Sequence, residues 1–386
     1  MQLKTFKYRL YPTPAQEKRL TRCLDASRNW YNMCVAERKY AYELEGRSVG
    51  LYEQLRLVKH YKAAFRQFKD VHSHILQVAT ADCDKAFQAF LRRVKAGEAP
   101  GYPRFKGYNY FDSFGFKEYG NGFKIDGRRL KISAVGRLPV RWHRPIEGKI
   151  KTARIRRTAG KWYVCFSCEL PDAVALPETG LQVGIDLNVE NLLTDSEGKR
   201  VESPKYYRQS QRDLRLAQRA LQRTKKGSKN RRKALRRVQR VHEHIKNQRQ
   251  DLLNKVVHSY TQVNDLIALE DLRITNMVRN HHLSKSILDQ GWGYLRNRFV
   301  AKAANAGRQI VLVDPAYTSK TCSCCGQLFQ DLTLSDRWVT CDCGLSLARD
   351  HNAAINILKR ATAQTEQPAS ITIVSLSRRQ PDGTRP

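Results

Sequence analysis

The segment LQVGIDL (181–187) is a continuous apolar run that ends in an acid and a final leucine. Such a run predicts a strand that is buried on both faces, as in a parallel sheet. Two later segments, LIALEDL (266–272) and RQIVLVD (308–314), repeat the pattern, and helical periodicity over 294–307 lies between them. NLLTDSEGKRV (191–201) continues from the first strand like a hairpin. These segments predict an α/β domain in the second half of the chain.

Three acids lie on these elements. Asp186 lies within the first strand, Glu270 ends the apolar part of the second, and Asp350 precedes a helix predicted over 351–361. Taken singly, each acid could be a strand-end residue or a helix N-cap. Three carboxylates brought together would repel one another and require a cation, and oxygen ligands suit Mg²⁺ or Mn²⁺. Two such ions, about 3.5–4 Å apart, can activate a water and stabilise the leaving oxygen of a phosphodiester.

Cysteines cluster in 322–343, which holds half of those in the chain. Two pairs at knuckle spacing, each followed by glycine, are Cys322, Cys325, Cys341 and Cys343. Four thiolates predict a closed, tetrahedral, structural Zn²⁺ site. The second pair has one intervening residue rather than two, so Cys324 is a possible substitute ligand. Cys165 and Cys168 fall in a predicted strand, where positions i and i+3 face opposite sides, and no site is predicted there.

Composition restricts the class of partner. Lys and Arg exceed Asp and Glu by 34 over 386 residues, and apolar residues make up 41%. The chain is long enough for two or three domains of roughly 100–200 residues, and too apolar to be disordered throughout. Its charge favours a polyanionic partner over a metabolic substrate, with an anionic membrane surface as the lesser alternative. No apolar run approaches the ~20 residues of a membrane span, and MQLKTFKYRL lacks the apolar core of a signal peptide. We therefore expect no membrane partner, a cytoplasmic and nucleoid-associated protein, and no disulfides.

The segment 205–249 carries 17 Lys and Arg residues against two acids, with a predicted hairpin turn at KKGSKN (225–230). Arginines recur every three or four residues, as in a helical stripe: Arg208, Arg212, Arg215, Arg219 and Arg223. Such a stripe can contact phosphates without reading sequence. The alternative is a solvated charged face, but such faces usually mix signs.

The first half predicts a strand over 3–11, a helical segment over 15–95, a loop at 101–113 and short strands over 114–170. The simplest arrangement joins the N-terminal strand to the later strands in a small barrel, with the helices as an insertion. Aromatic residues alternate with basic ones here: Tyr52, Tyr61, Tyr102, Phe105, Tyr108 and Tyr110. They could stack on bases, but aromatics in regular elements are more often core, and the core interpretation is favoured.

Together these motifs resemble the TnpB family, RNA-guided DNA endonucleases of small insertion sequences related to type V CRISPR effectors. The resemblance rests on GIDLNVENLLTDSEG, LIALEDL, SILDQGWGYL, SKTCSCCG, CDCG and RDHNAAINIL in this order. YRLYPTPAQ, NWYN and GYPRFK extend it over almost the whole chain.

The resemblance implies an RNase H-like RuvC nuclease domain with Asp186, Glu270 and Asp350 as its catalytic, magnesium-binding acids. It also implies that the four paired cysteines form an inserted zinc-binding module. The implied domains are 1–14 and 113–178 (a β-barrel wedge domain), 15–112 (helical recognition domain), 179–316 and 348–361 (nuclease), 317–347 (zinc module) and 362–386 (disordered tail).

The resemblance further implies a guide RNA transcribed from the transposon end, and double-stranded target DNA bearing a short transposon-adjacent motif. A monomer with one RNA would cut both strands with one nuclease site. By positional match, the residues near the adjacent motif are Tyr52, His74, Gln77 and Ser113. A nuclease-silent, RNA-guided repressor is the alternative, although such a protein would be expected to lose an acid. A RuvC-like resolvase without RNA ranks last, since it leaves the helical insertion and the arginine stripe without a partner.

The chain departs from the family pattern in three places. Asn188 stands where glycine often follows the first acid, and Ser346, Leu347 and Ala348 replace the residues usual before the Arg-Asp pair. The third departure is the C-x-C spacing. The first two would alter loop geometry beside the site, and the third would weaken zinc binding.

Overall fold

The computed structural model describes residues 2–108, 110–333 and 335–366. The chain divides into two compact units, Met1–Asp172 and Ala173–Pro386. Among the described helices, none combines the length and the apolar character that a membrane crossing requires.

The first unit contains an antiparallel sheet. Its strands are β1 (Gln2–Leu10), β2 (Ser113–Phe116), β3 (Phe123–Asp126), β4 (Arg129–Ile132), β5 (Gly136–Arg141), β6 (Lys149–Thr158) and β7 (Lys161–Leu170). They are ordered β2-β6-β7-β1-β5-β4-β3. The N-terminal strand lies in the middle: β1 pairs with β7 from Gln2↔Leu170 to Leu10↔Trp162, and with β5 at its end. The prediction that this strand joins the later β segment is confirmed.

Helices fill the interval between β1 and β2, as expected. They are α1 (Pro14–Glu45), α2 (Leu51–Ala64), α3 (Arg66–Lys69) and α4 (Ser73–Lys95). The first begins with a capping box, in which the Thr13 side chain accepts from the Gln16 amide and the Gln16 side chain accepts from the Thr13 amide. Gly46 caps its C-terminal end, with a φ of 61° in the left-handed region. The buried Trp30 of α1 donates its indole N–H to Thr80 of α4 at 2.8 Å, which joins the two longest helices of this unit.

The core interpretation of the interleaved aromatics is wrong for most of them. Tyr61 packs against the core of the first unit. Five are exposed, from Tyr102 at 40% to Tyr110 at 85%: Tyr52, Tyr102, Phe105, Tyr108 and Tyr110. The amino-acid pattern of the helices and the loop does not distinguish a buried ring from an exposed one. Tyr108, for example, is exposed and lies beneath the Arg28 guanidinium.

The second unit contains a mixed sheet and a small separate ladder. Its strands are β8 (Gln182–Asp186), β9 (Asn191–Asp195), β10 (Arg200–Glu202), β11 (Leu266–Glu270), β12 (Gln309–Val313), β13 (Trp338–Thr340) and β14 (Ser346–Ala348). The main sheet is ordered β10-β9-β8-β11-β12, and β8, β11 and β12 are parallel. The predicted strands and the hairpin after the first of them are confirmed. The small ladder pairs β13 with β14.

Helices cover both faces of this sheet. The helices of this unit are α5 (Tyr206–Gln209), α6 (Gln211–Gln222), α7 (Lys229–Val263), α8 (Ile274–Met277), α9 (Ser284–Gln290), α10 (Trp292–Ala306) and α11 (Arg349–Glu366), and α7, α10 and α11 pack against the sheet. Alternate residues of β11 enter different cores. Leu266 and Ala268 pack with residues of α11, whereas Ile267 and Leu269 pack with residues of α7 and α10. The strand is therefore buried on both faces, which explains its continuous apolar sequence.

Three predicted boundaries differ from the structure. The basic helical stretch does not end at 249, because α7 continues to Val263. The last helix begins at Arg349 and runs to Glu366, so the predicted tail starts too early at Thr362. The rest of that tail, 367–386, lies outside the described residues.

Candidate active site and zinc centre

Asp186 and Glu270 end two neighbouring parallel strands. Ile185 of β8 is in register with Leu269 of β11, so the acid that follows each lies beside the other. Neighbouring strands are about 4.8 Å apart. Both acids are buried, with 8% and 7% exposure. By strand alternation they share the face of Ala268, which is the face that α11 covers.

Asp350 reaches the same place from α11, where it is the second residue of the helix. Burial raises the pKa of Asp186 well above its ordinary value, and the charges of Glu270 and Asp350 raise it further. The pKa of Asp350 is also raised by burial, against the opposing effect of Arg337 and Arg349. Glu270 and Asp350 therefore lie close enough to Asp186 for their charges to raise its pKa.

Two polar neighbours restrain these carboxylates. Thr318 donates its hydroxyl to Glu270 Oε1 at 2.6 Å. Burial raises the pKa of Glu270, and the Thr318 hydrogen bond opposes that rise. Asn188 donates to Asp186 Oδ2 at 3.4 Å and to Thr194 Oγ1 at 3.3 Å. This residue, which departs from the family pattern, therefore links the end of β8 to β9.

Sequence reasoning missed the role of Thr318. Its hydroxyl reaches Glu270 from 48 positions away in the chain. No local pattern marks such a contact. Asn188 was noticed only as an unusual residue, although its position two residues after an acid was a usable signal.

The four paired cysteines converge on one point. Their Sγ atoms all lie within 4.8 Å of one another. The Sγ atoms of Cys322 and Cys343 are 3.6 Å apart, and so are those of Cys325 and Cys341. Tetrahedral Zn–S bonds of about 2.3 Å place sulfur atoms about 3.8 Å apart, so the cluster fits Zn²⁺. Cys324 is exposed and lies outside the cluster, which leaves it without the substitute role considered above.

The pKa of the Cys322 thiol is lowered. Burial alone would raise its pKa, but hydrogen bonds from the backbone amides of Cys325 and Cys324, together with the neighbouring sulfurs, lower the pKa to about 7. A thiolate is the form that binds metal. The local backbone is thus arranged to favour a bound cation.

The arginine stripe forms an exposed surface on α5 and α6. Leu214 and Ala217 pack against Val238 of α7, and the arginines occupy the opposite side of the hairpin. All five side chains are exposed: Arg208, Arg212, Arg215, Arg219 and Arg223. Arg208 differs from the others because it lies before the break at Ser210 and donates to Ser286 Oγ at 3.1 Å. Within the described residues, the other four have no ion-pair partner.

The four residues predicted near an adjacent motif occupy three elements. Tyr52 is exposed on α2. His74 and Gln77 are half-buried on α4, and Ser113 begins β2, the strand against which α4 packs. His74 Nδ1 is buried and has no hydrogen-bond partner within the described residues. Their role stays a prediction.

Sequence profiles of three families match the chain. They are "Probable transposase" over 165–281, "Cas12f1-like, TNB domain" over 292–357 and "Helix-turn-helix domain" over 1–47. In the last of these ranges the structure has one strand, β1, followed by the single long helix α1.

Relatives match over nearly their full length. A Streptomyces pristinaespiralis protein named "Putative RNA-guided DNA endonuclease" is 34% identical, over 93% of this chain and 90% of the relative. The Escherichia coli protein named "Putative RNA-guided DNA endonuclease InsQ" is 30% identical, over 92% of each chain.

The structure of Cas12f1 in complex with sgRNA and target DNA resembles the fold, with a TM-score of 0.60 and 14% identity over 92% of this chain and 98% of that one. The fold is thus α/β and similar to the fold of Cas12f1. The similarity to full-length relatives is more specific. The chain belongs to the TnpB family of RNA-guided DNA endonucleases.

Proposed function

We propose that this chain is an RNA-guided DNA endonuclease that binds a guide RNA derived from a transposon end, recognises a short adjacent motif and hydrolyses phosphodiester bonds. The observation that carries the proposal is the group of three acids, Asp186, Glu270 and Asp350. The first two are buried, and burial together with the charges of Glu270 and Asp350 raises the pKa of Asp186. Full-length relatives that are named RNA-guided DNA endonucleases support it.

The three acids would hold Mg²⁺ or Mn²⁺. Their hard oxygen donors and their raised pKa values both fit a divalent cation, which offsets the charge that burial disfavours. When bound, two such ions supply an activated water and stabilise the leaving oxygen of a phosphodiester. The chain itself orients the carboxylates, through strand register for Asp186 and Glu270 and through helix packing for Asp350.

The second unit would then correspond to an RNase H-like nuclease domain, 179–316 and 348–361. The cysteine cluster lies within 317–347 and would be its zinc-binding module, structural because four thiolates leave no open position. In the first unit, the sheet would be the wedge domain and the helices of 15–112 the recognition domain. The boundary proposed at 178/179 lies in the irregular segment 171–181.

Nucleic acid would bind the surfaces that carry unpaired cations and exposed rings. The arginine stripe has the charge needed to contact phosphates. The exposed rings of the first unit, including Tyr52 and Tyr110, are available for stacking. Such surfaces contact any sequence, so sequence would be read by pairing with the guide, and only the short motif by protein side chains.

The test is to co-express the chain with RNA from its flanking DNA and sequence the RNA that co-purifies. The complex is then incubated with Mg²⁺ and a matched plasmid that carries a randomised flank. Guide-dependent linearisation with one enriched flank is the expected result. The Asp186→Ala variant is expected to retain the RNA and lose cutting, whereas Asp251→Ala, an exposed acid of α7, should keep both.

Other outcomes would overturn parts of the proposal. Target binding without cutting by the wild-type chain would favour an RNA-guided repressor. Cutting without RNA would favour an unguided DNA enzyme. Cutting by Asp186→Ala would show that the site is assigned to the wrong residues.

A further inference from the structure

A short, partly buried segment, 318–323, connects the acids with the cysteine cluster. Thr318 is 3% exposed, and four residues later the chain reaches Cys322, the first thiol of the cluster. At one end of this segment the Thr318 hydroxyl holds Glu270. At the other end, Ser323 is also buried.

Two asparagines of α11 hold the same segment. Asn356 donates its amide to the carbonyls of Thr318 at 2.9 Å and Thr321 at 2.6 Å. Asn352 donates to the Thr321 carbonyl at 2.7 Å and accepts from the Ser323 amide at 2.8 Å. Asn352 is fully buried and Asn356 nearly so, and a buried polar group that loses its hydrogen-bond partner is costly.

The same helix carries Asp350, two residues before Asn352. Two of the three acids are therefore attached to one hydrogen-bonded network: Glu270 through Thr318, and Asp350 through α11. The network ends at the backbone on either side of Cys322. A metal that orders the cysteine cluster would restrain this backbone, and with it both acids.

We propose that zinc loading of the cysteine cluster sets the affinity of the acidic site for its divalent cation, through segment 318–323, and that Thr318 is a positioning residue for Glu270. The inference rests on the proposed function in one respect: it takes the acids to bind a divalent cation. It adds a coupling between two metal sites that differ in ligand chemistry.

The first test measures Mn²⁺ binding by electron paramagnetic resonance on the full-length, zinc-loaded, RNA-free chain. Binding that persists in Asp186→Ala is subtracted as background. Thr318→Val keeps the shape of the side chain and removes the hydroxyl, and should weaken Mn²⁺ binding about 10–100-fold, as outer-shell changes do. Thr318→Ser should restore it. Both variants should retain one zinc per chain by elemental analysis.

The second test breaks the network at α11. Asn356→Leu should weaken Mn²⁺ binding and speed hydrogen exchange of the amides of 350–357, and removal of zinc from the wild-type chain should do the same. The control is Asn264→Leu, a similarly buried asparagine that donates to the Tyr260 carbonyl away from the acids. It should leave both readouts unchanged.

Unchanged Mn²⁺ affinity in folded, zinc-loaded Thr318→Val would overturn the positioning role. Unchanged affinity and exchange after zinc removal would overturn the coupling. Both results are distinct from failure of the proposed function, which would appear as cutting by Asp186→Ala or as the absence of cutting by the wild-type chain.

Discussion

Gly184 of β8 lies directly against Ala354 of α11. A Cβ atom built on Gly184 would lie 2.2 Å from the Ala354 carbonyl oxygen and 2.7 Å from the Leu358 nitrogen. The backbone of the helix therefore rests on the strand with no side chain between them. Asp186 follows Gly184 by two residues and Asp350 precedes Ala354 by four, so this contact sets the distance between two acids of the candidate site.

Gly184→Ala is expected to displace α11 and reduce cleavage at least 10-fold, because a backbone carbonyl cannot yield as a flexible side chain can. Overpacking of this kind also destabilises by about 1–3 kcal/mol. Plasmid cleavage and thermal unfolding would measure the two effects. The matched control is Gly293→Ala in α10, whose added Cβ would meet Ile274 Cδ1 at an ordinary 3.6 Å. Full activity and an unchanged Tm in Gly184→Ala would show that the helix tolerates the shift.

The raised pKa values of Asp186 and Glu270 predict how stability depends on pH without Mg²⁺. In the unfolded chain both carboxyls titrate near their ordinary pKa of about 4. In the folded chain they hold protons to higher pH, so their contribution is fully present below the unfolded pKa and is lost as pH rises through the folded pKa. The free energy of unfolding should therefore fall over that interval, in zinc-containing buffer without Mg²⁺.

Denaturant unfolding at a series of pH values measures this fall. Asp186→Asn should flatten the curve and be more stable than the wild type at neutral pH, and added Mg²⁺ should restore wild-type stability. Asp251→Asn changes an exposed acid that is paired with Lys255, and should retain the wild-type slope. A wild-type stability that rises with pH would contradict the assignment of these pKa shifts.

Much of the candidate site followed from the sequence for a simple reason. Strands buried on both faces leave continuous apolar runs, and an acid at the end of such a run is conspicuous. Parallel neighbours end at the same edge of a sheet, so Asp186 and Glu270 had to meet if their strands were adjacent. The spacing of the cysteines likewise predicts a site, because two pairs at knuckle spacing can bind one metal ion together.

The remaining features depend on contacts that no local pattern encodes. Thr318 and Asn356 act through partners that are distant in sequence and look like ordinary polar residues. The exposure of Tyr102 and Tyr110 could not be read from composition, since rings occur both in cores and on surfaces. The predicted helical stretch is too short because its basic residues end at Arg249, whereas the apolar residues of α7, such as Leu253 and Tyr260, continue beyond that point.

The cysteine cluster predicts one zinc ion per chain. Cys325→Ser should lose that zinc, because it removes one of four converging thiolates. Cys324→Ser should keep it, since the neighbouring side chain is exposed and outside the cluster. Elemental analysis of purified variants distinguishes the two. Retention of zinc by Cys325→Ser together with its loss in Cys324→Ser would mean that Cys324 is the true ligand.

The arginine stripe predicts a measurable electrostatic contribution to RNA binding. Each phosphate contact releases counterions, so log K falls with log salt concentration by about 0.7 per contact for single strands. Arg212 and Arg219 are exposed on one side of α6 and, within the described residues, have no acidic partner. Their double reversal, Arg212→Glu with Arg219→Glu, should weaken guide RNA binding at least 10-fold and reduce the salt slope by about 1–2. Filter binding over a range of salt concentrations measures both.

The double Arg→Lys variant retains the charge and should keep the wild-type slope. If reversal of both charges leaves the slope unchanged, the stripe faces solvent in the complex, and the guide RNA binds elsewhere on the chain.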